Sequence, residues 1–232
     1  MTETRTIAVE GVTHELVCDG SGDARPGVII FPTVMGISEL ERGFAGRLVG
    51  DGYSVLLADL YGRRFTPDRR DEAVAAMQGL REDRADLRER LLGVLGTAVE
   101  QEEIDDERVA AIGFCFGGQN ALDLARSGAD LAGVASFHGL FDPPGLPPQP
   151  VRAKVAAFHG WDDPLVPPEA VVALANELTA ASADWQIHAF GHVGHGFTNP
   201  GATGATPGIK YDERTAKRGW AACDAFLAEC LA

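Results

Sequence analysis

A short apolar run that gives way at once to a glycine-bracketed cysteine constrains this chain more than any other stretch. Val109-Ala110-Ala111-Ile112 reads as a buried strand, and Phe116 to Arg126 as a helix. Between them stands Gly113-Phe114-Cys115-Phe116-Gly117-Gly118. A strand that becomes a helix within so few residues must bend sharply, and glycines flank the bend because neighbouring side chains would clash. The rest of the chain fits an α/β fold. A hairpin is expected around Glu10-Gly11. Apolar runs at 28–31, 54–58, 133–137, 155–158 and 185–190 alternate with amphipathic segments, which predicts a mostly parallel central sheet with helices on both faces. Ser38 and Glu41 have capping-box spacing, so a helix follows them. The charged stretch 71–103 reads as helical, with Leu87, Leu91, Val94 and Leu95 on one face. Five prolines between 143 and 150 make a loop, and no composition shift divides the chain, so 1–232 is expected to be one domain.

The bend at Cys115 suits a nucleophile. The new helix aims its free N–H groups and positive dipole end at that residue. The N–H of Phe116 faces a developing oxyanion. A thiol gains most, because the thiolate is the reactive form and a helix N-terminus favours it. The competing reading is a small buried hydrophobe. A phosphate loop fits poorly, since the Lys-Ser/Thr ending and the dinucleotide spacing are both missing. Two later segments supply partners: His159-Gly160-Trp161-Asp162-Asp163-Pro164-Leu165-Val166-Pro167 and Gly191-His192-Val193-Gly194-His195-Gly196-Phe197. Each follows a predicted strand, and the chain order is nucleophile, acid, histidine. A histidine would shuttle the proton, and a carboxylate would fix its tautomer.

With these motifs in view, the sequence resembles the dienelactone hydrolase family, a cysteine-nucleophile branch of the α/β-hydrolases. The match runs from about Val28 to the C-terminal helix. It rests on Gly-x-Cys-x-Gly-Gly at 113–118, Asp-x-x-Val-Pro at 163–167, Gly-His-Gly-Phe at 194–197 and Asp59-Leu60-Tyr61-Gly62. The resemblance implies an α/β-hydrolase fold and a triad of Cys115, Asp163 and His195. It also implies an oxyanion hole from the backbone N–H groups of Val34 and Phe116. Asp162 is left as a turn residue and His192 as a loop or substrate contact. Met35, Tyr61, Arg63, Trp161 and Phe197 are the expected substrate-binding residues, chosen by proximity to the motifs. His14, His138 and His159 read as structural histidines, with His138, which follows a strand, the one placed to lie near the site.

The chain also departs from the family. Where the best-known members carry a glutamate after the first core strand, Thr33 stands here, and the arginine expected four residues after the histidine is Asn199. The thiolate would then depend on His195 and the helix end. Dienelactone itself becomes a doubtful substrate. The leading expectation is hydrolysis of an ester, lactone or thioester through an acyl-cysteine. A non-hydrolytic module that senses electrophiles or oxidants is the alternative. No metal or organic cofactor is implied: His188, His192 and His195 lack the companion ligands of a zinc site.

Composition narrows the partners. Asp and Glu number 34 against 20 Lys and Arg, a net charge of -14. That balance argues against nucleic acid and anionic membranes, which need cationic surfaces. No run of about eighteen apolar residues reads as a spanning helix. The first residues lack a signal-peptide pattern. Four scattered cysteines do not read as a disulfide framework. Cys223 and Cys230 are expected on a helix face, and Cys18 at a turn. A cytoplasmic protein acting on a small-molecule acyl substrate is the expectation, and no feature speaks to oligomeric state.

Overall fold

The computed structural model describes residues 2–232. Its sheet is built from β1 (Glu3–Val9), β2 (Val12–Cys18), β3 (Arg25–Phe31), β4 (Ser54–Leu57), β5 (Ile104–Phe114), β6 (Gly133–Phe137), β7 (Lys154–Gly160) and β8 (Trp185–Phe190). The eight strands lie in the order β1-β2-β4-β3-β5-β6-β7-β8. The β1–β2 hairpin is antiparallel and joins the antiparallel side of β4, while every pairing from β4 to β8 is parallel.

Six helices cover the sheet: α1 (Glu39–Gly50), α2 (Arg70–Glu82), α3 (Arg84–Val99), α4 (Phe116–Arg126), α5 (Pro168–Ala180) and α6 (Glu213–Cys230). The period-2 alternation of the strands divides the core into two layers. Ile29, Phe31, Val109 and Ala111 face the side of α3, α4 and α5. Val28, Ile30, Ala110 and Ile112 face α1 and α6. The central strands are apolar throughout because both faces are covered.

The stretch expected to be continuously helical breaks in two at Asp83. That residue leaves helical angles (φ -114°, ψ 83°), and its side chain accepts from the Asp86 N–H, starting α3 afresh. Cys18 also differs from expectation: it ends β2 and is buried. The connection from β6 to β7 holds no helix, as its prolines predict. Among the described residues no helix is long and apolar enough to cross a membrane.

This topology fixes where chemistry can occur. β4 lies on one side of β3 and β5 on the other, so the connections leaving β3 and β5 diverge and open a crevice at the strands' carboxyl ends. Phe31 pairs with Gly113 at that rim. The 32–37 loop and the Cys115 turn therefore emerge side by side.

Candidate active site

Cys115 takes φ 58° and ψ -117°, a conformation that L-residues seldom hold and that the surrounding packing must impose. A side chain on Gly113 would place its Cβ 1.9 Å from the Gly117 carbonyl oxygen, so the bend closes only with glycine there. All of α4 behind the bend is buried. Cys115 itself keeps partial solvent access.

The predicted acid and histidine meet. His195 Nδ1 lies 2.8 Å from Asp163 Oδ2, and both side chains are buried. The other Asp163 oxygen accepts from the Leu165 N–H at 2.8 Å, which fixes the carboxylate. The histidine's backbone is pinned between two partners: its N–H donates to the Gly208 carbonyl, and its own carbonyl accepts from Lys210. The two alternatives weighed in the sequence also face each other, but in solvent: His192 Nδ1 and Asp162 Oδ2 are 3.8 Å apart and exposed. His195 Nε2 is buried with no full hydrogen bond, and the Cys115 thiol is the group that acts on it.

Burial opposes ionisation of Cys115. The neighbouring His195 and its charge, with the N–H groups of Phe116 and Val34, outweigh it and bring the thiol below its ordinary value. Burial likewise opposes the charge on His195, but Asp163 and the Cys115 thiolate hold its value up to about 10. The arrangement favours a thiolate–imidazolium pair, with two backbone donors aimed at the sulfur.

The 32–37 loop that supplies Val34 turns tightly, with the Gly36 N–H donating to the Thr33 carbonyl at 3.0 Å. Tyr61 O–H donates to the Val34 carbonyl at 3.2 Å, and burial raises the phenol's pKa, with Cys115 and Asp59 adding to it. Asp59 accepts from the N–H groups of Thr13, Tyr61 and Gly62. That explains the acid of the Asp59-Leu60-Tyr61-Gly62 motif. Met35 is half-buried beside Val34 and Phe65 in a small cluster under α2. Trp161 stands exposed at the start of the acid turn. Arg63 is exposed and lies over the Phe65 ring.

Phe197 needs correction. It is fully buried, packed on Phe137, Phe190 and His138, and forms no part of an open pocket wall. Two residues near the site carried weaker sequence signals. His138, buried with φ 38°, sets its ring edge-on to His195 at 5.0 Å and shares a 2.8 Å hydrogen bond with Thr198. Burial, and then the charge of His195, push its pKa well down, so it stays neutral. Glu41, legible only as a capping residue, is fully buried behind the 32–37 loop. No group of His, Cys, Asp and Glu suited to a metal occurs among the described residues.

A parallel sheet with a strained cysteine on a strand–helix bend, followed by an acid and a histidine on later loops, defines an α/β hydrolase. Residues 16–231 match the family model described as the dienelactone hydrolase family. The chain belongs to that family. A solved structure named m3DLH is 37% identical, with a TM-score of 0.91, and covers 100% of this chain and 99% of its own. A dienelactone hydrolase-like promiscuous phosphotriesterase, P91, from metagenomic libraries is 32% identical with a TM-score of 0.89, over 100% and 99% of the two chains. Carboxymethylenebutenolidase 1 of Cupriavidus pinatubonensis is 29% identical over 188 residues, 75% of this chain and 76% of that protein.

Proposed function

We propose that this hydrolase cleaves an uncharged ester, lactone or thioester through Cys115, His195 and Asp163, by way of an acyl-cysteine. The observation that carries the reading is geometric: Cys115 on its strained strand–helix bend, and His195 Nδ1 fixed 2.8 Å from Asp163 Oδ2; the lowered thiol and the histidine held up at about 10 agree with it. Cys115 Sγ attacks the acyl carbon as thiolate, and the carbonyl oxygen becomes an oxyanion that accepts from the N–H groups of Val34 and Phe116. The C–O or C–S bond to the leaving group breaks, and His195 Nε2 gives that group its proton. His195, now neutral, takes a proton from water. The resulting hydroxide adds to the thioester carbon, the C–S bond breaks, and the acid leaves with the thiolate restored. No metal or organic cofactor enters these steps. A resting thiolate is best preserved in a reducing compartment, so we place the protein in the cytoplasm.

The preference for an uncharged substrate follows from how Arg64 and Arg81 are used and from Arg63 lying outward over the Phe65 ring. Arg64 is held by Asp59, Glu15 and the Thr13 carbonyl. Arg81 is held by Gln119 and Asp142. The leading interactions on Cys115 include no arginine or lysine. Asn199 uses its side-chain oxygen on the Gly201 N–H, 2.8 Å away. The phosphotriester in the name of the P91 neighbour is itself an uncharged ester.

The test pairs p-nitrophenyl acetate with the p-nitrophenyl monoester of succinate, read as p-nitrophenol release and as acyl mass on the Cys115 peptide. The acetate is expected to turn over and the charged ester to react at least tenfold more slowly. Absence of acyl-Cys115 during turnover would overturn the mechanism, and equal rates would overturn the substrate class.

A further inference from the structure

Glu41 is a carboxylate buried completely at the start of α1. Its nearest cation by sequence, Arg42, is taken by Glu15 and Glu39. What it meets instead is the 32–37 loop. Oε1 accepts from the Thr33 N–H at 3.1 Å. Oε2 accepts from the Ser38 N–H at 3.0 Å and from the Ser38 hydroxyl. The Ser38 hydroxyl in turn accepts from the Leu40 N–H and from the Glu41 N–H, the latter completing a capping box. One carboxylate thus clamps both ends of the loop, at Thr33 and at Ser38.

A capping residue ordinarily serves its own helix. The bond to Thr33 serves something else, because Thr33 lies eight residues upstream and precedes Val34, whose N–H faces the Cys115 sulfur. The Val34 carbonyl is restrained from the other side by Tyr61 O–H. Between these two tethers the Thr33–Val34 peptide has its orientation set. A donor in an oxyanion hole is useful only when aimed at the oxyanion before the charge develops. Glu41 is not among the leading influences on the Cys115 thiol, so its part differs from that of an activating carboxylate.

We propose that Glu41 is a positioning residue for acyl transfer: by holding the Thr33 and Ser38 N–H groups it aims the Val34 N–H at the reacting oxygen. The proposal rests on the acyl-cysteine reading above, and its test separates the two. Wild type, Glu41→Gln, Glu41→Ala and Ser38→Ala are compared in two reactions at Cys115. One is acylation by p-nitrophenyl acetate, which builds an oxyanion. The other is alkylation by iodoacetamide at a pH where the thiol is fully ionised, which builds none.

Glu41→Ala is expected to lose about 10- to 100-fold in the acylation rate constant, below the loss for removing an oxyanion donor outright. KM should stay within about threefold, and alkylation within about threefold. Glu41→Gln keeps an acceptor for one N–H and is expected to recover part of the loss. Ser38→Ala removes the cap but leaves the Thr33 bond, so its acylation should stay near wild type while its melting temperature falls. Acylation unchanged in both Glu41 variants overturns the proposal. So does a parallel fall in acylation and alkylation, or an equal loss in Ser38→Ala, since each marks general disruption. A wild type that alkylates but never acylates overturns the hydrolytic reading itself. If Glu41→Ala does not fold, Glu41→Gln against Ser38→Ala decides alone.

Discussion

Replacing Gly117 with alanine adds one methyl group where the nucleophile turn leans on the central sheet. The new Cβ would lie 2.0 Å from the Phe31 carbonyl oxygen and 2.5 Å from that of Pro32. Ordinary contact begins at 3.4 Å, so the closest approach is short by 1.4 Å. Both obstructing atoms are backbone, and neither can swing away as a side chain would. β3 is held by β4 on one side and β5 on the other, and every residue of α4 is buried. Overpacking by one group in a tight core costs about 1–3 kcal/mol, and the rigid surroundings place this case at about 3 kcal/mol or more. For a chain of this size that is roughly a 6–12 °C fall in melting temperature. Gly79→Ala is the matched control. Gly79 lies inside α2 with nothing within 4 Å of the added Cβ, so the same chemical change should stabilise by about 0.5–1 kcal/mol. The two variants are compared by thermal unfolding at one pH, with Cys115 alkylation as a reporter of the turn. A Gly117→Ala protein within about 1 kcal/mol of wild type, with normal alkylation, would refute the claim that backbone contact makes this glycine obligatory.

Asp163→Asn should slow acylation by about 10²–10⁴-fold and move the alkylation midpoint of Cys115 back toward the free-thiol value near 8.5, because the amide cannot support the imidazolium; a pH–rate profile reads both. The ion pair also carries a stability signature. His195 is raised above 6.5, so its share is complete below 6.5 and lost as pH rises through about 10. Cys115 is lowered below 9.0, so its share is complete above 9.0 and lost as pH falls through the folded value. Urea midpoints should therefore fall at both extremes in wild type, and Cys115→Ser should remove the thiol's part of that dependence. Tyr61→Phe removes one donor from the Val34 carbonyl, worth about 1 kcal/mol, and should slow acylation about fivefold with alkylation unchanged. Arg84→Met withdraws a buried partner from Asp123 and should destabilise by about 3 kcal/mol in urea, the low end for a broken buried pair, since Arg126 still holds that carboxylate.

What the sequence made legible follows the range of the forces involved. Strands 28–31, 109–114 and 133–137 were readable because a strand covered on both faces must be apolar throughout, a purely local signal. The association of Asp163 with His195 was suggested by motif order, and the choice of Asp163 over Asp162 by the family resemblance, whose pattern puts the acid three residues before Val166. Three-dimensional placement then puts Asp163 against His195 and leaves Asp162 in solvent. Other features were illegible for stated reasons. Asp83 breaks the long helical stretch through its own backbone angles, and neither the charge pattern nor the apolar period of 71–103 marks it. Phe197 sits in a family motif and next but one to His195, yet packing sends its ring into the core. Glu41 carried a true local signal, the capping box, which was also incomplete: its bond to Thr33 depends on a loop folding back onto the helix start.

The same electrostatics that charge the resting pair also let one histidine serve both halves of the proposed cycle. In the resting state the imidazolium is supported from two sides, by Asp163 and by the Cys115 thiolate. Attack converts the thiolate into a neutral thioester and removes one of those supports. His195 then holds its proton less tightly just as the leaving group needs one, and afterwards stands neutral and able to take a proton from water. His138 makes this swing workable. Its ring lies 5.0 Å from that of His195, and a second cation there would oppose the imidazolium throughout. Burial keeps His138 neutral, so the site bears a single positive charge, set by the state of the sulfur. In the proposed cycle a glutamate at position 33 is therefore not required for charge balance, because the resting proton sits on His195, passes to the leaving group and is replaced from water.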